Sequence, residues 1–326
     1  MTIVRWGLLS TANINRHVIP AIRASKRGQL VAVASRTQEK AEEYAGEWEI
    51  AEAYGSYEEL LSSGSVDAVY IGLPNHLHAE WTVRALRSGL HVLCEKPFTI
   101  SLNEMDAVIE AAAETGKIVA EAFMYRHHPQ TKLVGQWIRQ GRLGEISLVH
   151  GVFNYKIGSG ENVRLVPEYG GGSLWDIGIY PISFAQFVYG SAPSLVAGDQ
   201  RLGASGVDET FAGQMRYAAG GLAQISSSFR TPYHTAVEIL GTRGRLHVSR
   251  PFSGVEEGTV TFYSAQGEAQ VIDVPAKALY LGEIQDMHAA ILDGKAVHIS
   301  LQESRDHVRT ALGLYASARS GQVVAL

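Results

Sequence analysis

The sequence predicts an α/β protein with a parallel sheet in its first part and a mostly antiparallel sheet in its second. In roughly the first 120 residues, short apolar runs alternate with segments of helical periodicity, which is typical of βαβ units. Runs such as 67–73 are almost continuously apolar, as strands covered on both faces are. Later runs alternate apolar and polar residues with few helices between them, which indicates antiparallel strands covered on one face.

The predicted elements of the first part follow one another in regular order. Strands are predicted at 3–9, 29–35, 67–73, 91–95 and 118–122, and helices at 14–24, 38–48, 77–88 and 101–114, with a short helical turn at 57–61. The second part has predicted helices at 129–140, 175–189, 282–292 and 300–319, and strands at 146–153, 209–217, 222–229, 235–240 and 259–264. We therefore expect two domains, 1–122 and 123–326, with the last helix packing back on the first.

Composition narrows the class of protein. The chain has 326 residues, of which 46% are hydrophobic and 19% charged, a globular balance that suggests two domains. A net charge of −5 favours neither nucleic acid nor an anionic membrane as partner. The single cysteine, Cys94, excludes an internal disulfide framework and a cysteine-based zinc site. With no apparent signal peptide and no membrane-length apolar run, we expect a cytoplasmic protein.

The turn after the first strand is a candidate dinucleotide site. The dinucleotide fingerprint places glycines at positions 10, 12 and 15, where this chain has Ser10, Ala12 and Asn15. Small residues still allow backbone amides at a helix N-terminus to approach a pyrophosphate. The predicted cofactor residues of this turn are Ser10, Thr11, Ala12, Asn13 and Ile14. The alternative is an ordinary strand-to-helix turn capped by Thr or Asn.

The ends of the next strands extend this candidate site. The second strand ends in Ser35, Arg36 and Thr37, with no acidic residue to hold a ribose 2′-hydroxyl. These side chains can instead donate to a 2′-phosphate, which favours NADP over NAD; the alternative is a solvated arginine. The strand ending at residue 73 contributes Leu73, Pro74, Asn75 and His78, because ligands bind at the carboxyl ends of parallel strands; the alternative for His78 is an ordinary polar group at a helix start.

Two distant segments supply the groups for proton transfer. One is Cys94-Glu95-Lys96-Pro97, and the other runs from Gly170 to Tyr180 and contains Asp176. Asp176 and Tyr180 are four residues apart in a predicted helix, so they lie on one face. A lysine cation stabilises a phenolate and lowers its pKa. Lys96 would supply that charge or bond the reacting oxygen, Asp176 would hold a substrate hydroxyl or orient the lysine, and Tyr180 would exchange the proton.

Each of these residues has an ordinary alternative. A lysine after a strand is often solvated, a helical tyrosine is often part of the core, and an aspartate often caps a helix. Tyr155, Arg164 and Trp175 are weaker substrate candidates, because aromatic faces and arginine donors suit a sugar-like polyol. Packing is the alternative for Tyr155 and Trp175. No metal is predicted, since His127 and His128 are adjacent and no carboxylate cluster is near them.

The combined motifs resemble the glucose–fructose oxidoreductase, inositol dehydrogenase and rhizopine-catabolism (Gfo/Idh/MocA) family over nearly the whole chain. The resemblance rests on the segments 73–78, 89–97, 121–126, 170–180 and 241–244. Within the family, Leu9-Ser10-Thr11-Ala12, Met124-Tyr125-Arg126 and Tyr180 are similar to the branch of NADP-dependent D-xylose dehydrogenase and dimeric dihydrodiol dehydrogenase.

The resemblance implies a Rossmann dinucleotide-binding domain followed by an α+β domain with a large, open-faced, mostly antiparallel sheet. It implies NADP, with NAD as the alternative, bound at the strand ends with Glu95, Lys96 and Arg126 among its contacts. The implied activity is hydride transfer between nicotinamide and a hydroxyl or carbonyl carbon of a sugar or cyclic polyol. A keto-sugar reductase, a trans-dihydrodiol dehydrogenase and a non-catalytic NADP-sensing regulator stay open; regulators of this family would be expected to lack the lysine.

The strand pattern of the second part also predicts how copies of the chain assemble. The second part has several strands and few helices, so one sheet face is expected to be uncovered. Apolar residues expected near this face would form a patch larger than monomers usually expose: Val149, Val152, Phe211, Met215, Ile225 and Phe229. Pairing about a two-fold axis would bury it. We therefore expect a homodimer, or a dimer of dimers, joined through the C-terminal sheet.

Overall fold

The computed structural model describes residues 2–158, 160–255 and 258–326, and the chain divides into two compact units. The first unit comprises the chain up to Met124 together with Tyr280–Arg305, and the second comprises the described parts of Tyr125–Leu279 with Asp306–Leu326. These limits differ from the predicted domains, 1–122 and 123–326. The segment that returns to the first unit carries the helix Leu281–Asp293, whereas most of the last helix belongs to the second unit.

The first unit is a parallel six-stranded sheet with helices between its strands. Its elements are β1 Val4–Leu9, α1 Asn15–Ala24, β2 Gly28–Ala34, α2 Gln38–Glu47, β3 Glu52–Tyr54, α3 Tyr57–Ser62, β4 Ala68–Ile71, α4 His78–Arg87, β5 His91–Glu95, α5 Leu102–Thr115, β6 Val119–Ala122 and, after the second unit, α8 Leu281–Asp293. The strand order is β3-β2-β1-β4-β5-β6, which is the order of dinucleotide-binding Rossmann sheets. The carboxyl ends of the parallel strands therefore lie along one edge.

Alternate residues of the central strands build the two cores of this unit. In β4, Val69 and Ile71 pack in one hydrophobic cluster, and Ala68 and Tyr70 pack in the other, because successive side chains point to opposite faces. The second cluster also contains Ile284 and Met287 of α8. This segment returns to the first unit because α8 has an apolar face, which becomes buried when the helix packs against the sheet.

The second unit contains a nine-stranded sheet and its helices. Its elements are α6 Pro129–Arg139, β7 Ile146–Asn154, α7 Ile179–Tyr189, β8 Leu195–Leu202, β9 Asp208–Arg216, β10 Leu222–Ser228, β11 His234–Gly241, β12 Gly244–Val248, β13 Val260–Ser264, β14 Ala269–Ile272, most of α9 Leu301–Ser320, and β15 Val324–Ala325. The strand order is β14-β13-β12-β11-β7-β10-β9-β8-β15, and among these pairs only β7 and β10 run parallel. The predicted α/β fold class is thus confirmed.

The expected apolar character of the uncovered sheet face was wrong. Five of the six residues named for it are buried on the covered face: Val149, Phe211, Met215, Ile225 and Phe229. Only Val152 of the six lies on the other face, with polar neighbours such as His150, Gln224 and Glu238. Period-2 alternation separates the two faces of a strand but does not say which one is covered. The mostly apolar helix α7, with Pro181 against Gly151, decides this.

In the described part of the chain, no helix is long and apolar enough to cross a membrane.

Candidate active site

The turn after β1 keeps the backbone geometry of a glycine-rich loop without its glycines. Ser10 has φ = +114°, a region that L-residues rarely adopt. Its N–H donates to the Ala34 carbonyl (3.1 Å) and its hydroxyl to the Gly72 carbonyl (3.2 Å). Asn15, 1% exposed, donates its side-chain amide to the Ser10 carbonyl at 2.8 Å. The residues at the first and third fingerprint positions therefore hold the turn closed by hydrogen bonds.

This turn is suited to a pyrophosphate. The helix α1 starts at Asn15, and no side chain caps its N-terminus, so the expected alternative of a Thr or Asn cap does not apply. The N–H groups of Asn15, Arg16 and His17 donate to carbonyls of the turn, so the donors that face a ligand are the N–H groups of the turn itself, at the positive end of the α1 dipole. Thr11, Ala12, Asn13 and Ile14 all precede α1 in this turn. The donor set thus fits a dinucleotide phosphate.

The three residues predicted to bind the 2′-phosphate follow β2 and have different environments. Ser35 is 5% exposed, and its N–H donates to the Tyr54 carbonyl. Thr37 is the N-cap of α2 and accepts from the Lys40 N–H, so its oxygen has a structural role. Arg36 is exposed and makes no ion pair with any residue that the structure describes. Arg36 is therefore the side chain best placed for a phosphate.

His78 joins the loops that follow β4 and β5. Its side chain is fully buried, and its ring nitrogens lie 2.7 Å from the Leu73 carbonyl and 2.8 Å from the Pro97 carbonyl. Burial lowers its pKa to about 4, although the two backbone hydrogen bonds oppose this. Sequence analysis expected His78 to contact the cofactor. The structure instead places it under the two strand-end loops that carry Leu73, Pro74 and Lys96.

Lys96 follows β5 directly and stands at the same sheet edge as Ser10 and Leu73. The preceding Glu95, 9% exposed, accepts a hydrogen bond from the Tyr70 hydroxyl at 2.5 Å. Glu283 of α8 is 1% exposed, and burial, together with the charge of Glu95, raises its pKa well above the usual value. Sequence reasoning missed Glu283, because nothing in its local sequence indicates that α8 returns to this sheet.

A second cluster of predicted residues lies in the other unit. The Asp176 carboxylate oxygen Oδ2 accepts from the Tyr155 hydroxyl at 2.8 Å and from Arg164 Nε at 2.9 Å. Burial and the Asp176 charge raise the pKa of Tyr155, and the Asp176 charge raises that of Arg164. Tyr155 therefore stays a neutral hydroxyl.

Tyr180 is 5% exposed, and its ring packs against aromatic neighbours. The ring centroids of Phe153, Phe252 and Tyr125 lie 5.4, 5.5 and 5.9 Å away. Arg164 interacts electrostatically with both Asp176 and Tyr180, so these three predicted residues form one group with Tyr155. The ring is held by packing, which fixes the direction of its hydroxyl.

Trp175 and Arg126 are two further predicted residues of the second unit, and both are buried. Trp175 is 6% exposed and packs on Tyr315 with centroids 5.7 Å apart, which agrees with the packing alternative, and its substrate contact stays a prediction. Arg126 is 4% exposed, belongs to the second unit, and places its guanidinium 4.5 Å from the centre of the Phe187 ring. In the described ranges, no group of three or more His, Cys, Asp or Glu side chains has the arrangement of a metal site.

The sheet order and these two clusters define a dinucleotide-dependent oxidoreductase class, and comparison with known proteins gives the family. The chain matches the family models "Oxidoreductase family, NAD-binding Rossmann fold" over residues 4–123 and "GFO/IDH/MocA C-terminal domain" over 131–247. It belongs to this family, as the sequence motifs indicated.

Individual relatives agree with the named branch. The chain is similar to the D-xylose 1-dehydrogenase (NADP(+)) 2 of Haloferax volcanii, with 36% identity over 98% of this chain and 99% of the relative. It is 31% identical to the trans-1,2-dihydrobenzene-1,2-diol dehydrogenase of Xenopus laevis over 75% and 74% of the two chains. A crystal structure of a 3-ketoreductase from Actinomadura kijaniata with NADP and TDP-benzene matches with a TM-score of 0.90 and 29% identity over 97% and 98%.

Proposed function

We propose that this protein is an NADP-dependent oxidoreductase that transfers a hydride between nicotinamide and a hydroxyl or carbonyl carbon of a sugar or cyclic polyol. The observation that carries the proposal is the sheet edge where the strained turn at Ser10 and Lys96 occur together. A phosphate-binding turn and a cationic side chain at the same edge are what a nicotinamide-dependent reaction needs. Full-length similarity to an NADP-dependent D-xylose dehydrogenase supports it.

The chain's own residues would hold the cofactor at three points. The backbone N–H groups of the turn before α1 bind the pyrophosphate, and Arg36 binds the 2′-phosphate with a charge-assisted hydrogen bond. The loops after β4 and β5, tied together by His78, border the nicotinamide end. When bound, nicotinamide supplies the hydride acceptor or donor.

Proton transfer is the task of Lys96, Tyr180 and Asp176. Tyr180 takes the proton of the substrate hydroxyl during oxidation and returns it during reduction. Lys96 supplies the positive charge that stabilises the reacting oxygen. Asp176, held by Tyr155 and Arg164, accepts a hydrogen bond from a neighbouring substrate hydroxyl and so orients the sugar.

The same chemistry run towards reduction makes a keto-sugar reductase the second candidate, supported by the similarity to the 3-ketoreductase of Actinomadura kijaniata. A trans-dihydrodiol dehydrogenase would also use it. A non-catalytic NADP sensor would bind the cofactor without turnover. We propose that the protein acts in the cytoplasm.

The test is an NADPH absorbance screen in both directions over aldoses, keto-sugars, inositols and a dihydrodiol. Lys96→Ala and Tyr180→Phe should each lower turnover by roughly 10² or more while NADPH still binds. Tyr217→Phe is the matched control, because this buried hydroxyl has no hydrogen-bond partner among the described residues. Tyr180→Phe at the wild-type rate would refute the acid–base assignment, and NADPH binding without turnover on any substrate would favour the sensor.

We also propose that the protein is a homodimer, or a dimer of dimers, joined through the uncovered face of the C-terminal sheet. This face has a concavity of about 740 Å³ lined by small and polar residues, including His150, Gln224, Ser226 and Glu238. Small side chains allow a second sheet to approach closely, and polar ones can bond across a two-fold axis.

A further inference from the structure

Asp208 is a buried carboxylate that the sequence did not single out. It is the first residue of β9 and is 2% exposed. Its Oδ2 accepts from the Ser173 hydroxyl and the Leu174 N–H, both at 2.8 Å, and its Oδ1 accepts from the Tyr315 hydroxyl at 2.7 Å. None of the described Lys, Arg or His side chains pairs with it. A buried charge without a counter-ion is costly, so it has to be stabilised by what it binds.

What it binds is the start of the helix that carries the proposed catalytic residues. Residues Leu174–Gly178 form a π-helical segment that continues directly into α7. The first N–H groups of a helix lack partners within it, and Ser173 supplies no side-chain cap here. Asp208 supplies the cap from a neighbouring strand, and its negative charge lies at the positive end of the helix dipole.

The π-helical segment determines the direction of Asp176. A π-turn closes its hydrogen bonds over five residues instead of four, so it contains one more residue than an α-turn. If the segment relaxed to an α-helix, the residues before it would rotate by about 100° relative to α7. Asp176 would then leave Tyr155 and Arg164, and its relation to Tyr180 would change. The geometry of the cluster therefore depends on what holds this turn.

Gly172 supports the same assignment independently. It has φ = +123°, and a Cβ built on it would lie 2.1 Å from Asp208 Oδ1. Only glycine allows the backbone to pass this close to the carboxylate. The glycines before Trp175 thus accommodate Asp208 and the loop backbone.

We propose that Asp208 is a positioning residue of the reaction: it caps the π-helical segment and thereby holds Asp176 and Tyr180 in their working directions without touching the substrate. This inference rests on the proposed oxidoreductase function.

The test compares Asp208→Asn with Tyr315→Phe. The amide has nearly the shape of the carboxylate but lacks its charge, whereas Tyr315→Phe removes one bond to Asp208 and leaves both bonds to the helix start. Asp208→Asn should lower kcat roughly ten-fold or more, with the NADPH Kd and the substrate KM within about three-fold, because misdirected groups reduce transition-state stabilisation. Tyr315→Phe should stay within about three-fold of wild type in kcat.

Hydrogen exchange without substrate provides a readout that needs no turnover. The amides of 174–178 should exchange faster in Asp208→Asn than in wild type, while those of 210–216 stay unchanged. If Asp208→Asn does not fold, Ser173→Ala removes one of the same bonds and should lower kcat several-fold in the same direction. Unchanged kcat in the folded variant, unchanged exchange, or an equal loss in Tyr315→Phe would overturn the assignment. A wild-type protein without turnover on any substrate would refute the proposed function, and the exchange measurement would still decide whether Asp208 caps this turn.

Discussion

Ser10 offers a quantitative test of the dinucleotide turn, because it is a non-glycine residue in a glycine conformation. Its φ of +114° brings Cβ into steric conflict with its own backbone. Ser10→Gly removes both this strain and the hydroxyl bond to the Gly72 carbonyl. Ser10→Ala removes the same bond and keeps the strain. The difference in unfolding free energy between the two variants therefore contains the strain and the chain entropy of glycine, but not the lost hydrogen bond.

The expected magnitude follows from three contributions. Backbone strain of this kind costs about 1–3 kcal/mol. The lost hydrogen bond, about 0.5–1.5 kcal/mol, is common to both variants and cancels in the difference. Glycine adds about 0.5–1 kcal/mol of unfolded-chain entropy, which opposes the gain. Ser10→Gly should thus be more stable than Ser10→Ala by about 1 kcal/mol, or about 2–4 °C in Tm for a unit of this size.

The assay is urea unfolding and thermal melting of both variants. The matched control is the same pair of substitutions at Glu43, which is exposed and lies in the middle of the helix α2. There the alanine variant should be more stable than the glycine variant by about 1 kcal/mol. If Ser10→Ala were as stable as or more stable than Ser10→Gly while the Glu43 pair behaved as expected, the strain at Ser10 would not exceed the entropy cost of glycine. The argument for a preserved dinucleotide turn would then lose its support.

Three further outcomes are expected. Arg36→Ala should weaken NADPH binding roughly ten-fold or more and leave NADH binding nearly unchanged, because a charge-assisted phosphate bond contributes about 1.5–3 kcal/mol; calorimetry that found equal losses for both would contradict this. His288 is buried and accepts a bond from Trp6 Nε1–H, and burial, helped by the charge of Arg27, lowers its pKa to about 4. Below about pH 6.5 only the unfolded chain takes up this proton, so stability should fall by about 1.4 kcal/mol per pH unit down to about pH 4. Urea unfolding at about pH 5 and pH 7.5 should show a shallower loss in His288→Gln, and an unchanged slope would contradict the assignment. Light scattering at low micromolar concentration should give at least twice the 35.3 kDa chain mass, and a wild-type monomer would refute the assembly. Ser226→Arg on the uncovered face should give monomers, whereas the control Gln270→Arg on β14 should leave the assembly intact.

The sequence alone determined that the first sheet is parallel and that Lys96 follows one of its strands. Strand and helix periodicity are properties of local backbone geometry, so 91–95 could be recognised as a strand, with Lys96 next to it at the carboxyl edge. The family motifs could be recognised for the same reason, since each is contiguous in the chain. The turn at Ser10 and the exposed Arg36 were also found from local pattern, although glycines are missing from the turn.

Tertiary structure decided what depends on residues distant in sequence. His78 is polar and follows a strand end, yet packing buried it between the Leu73 and Pro97 carbonyls. Asp208 and Glu283 carry no local signal, because their environments are created by the start of α7 and by the return of α8. The covered face of the second sheet was assigned wrongly for the same physical reason: alternation is encoded in each strand, but burial depends on which helix packs against it.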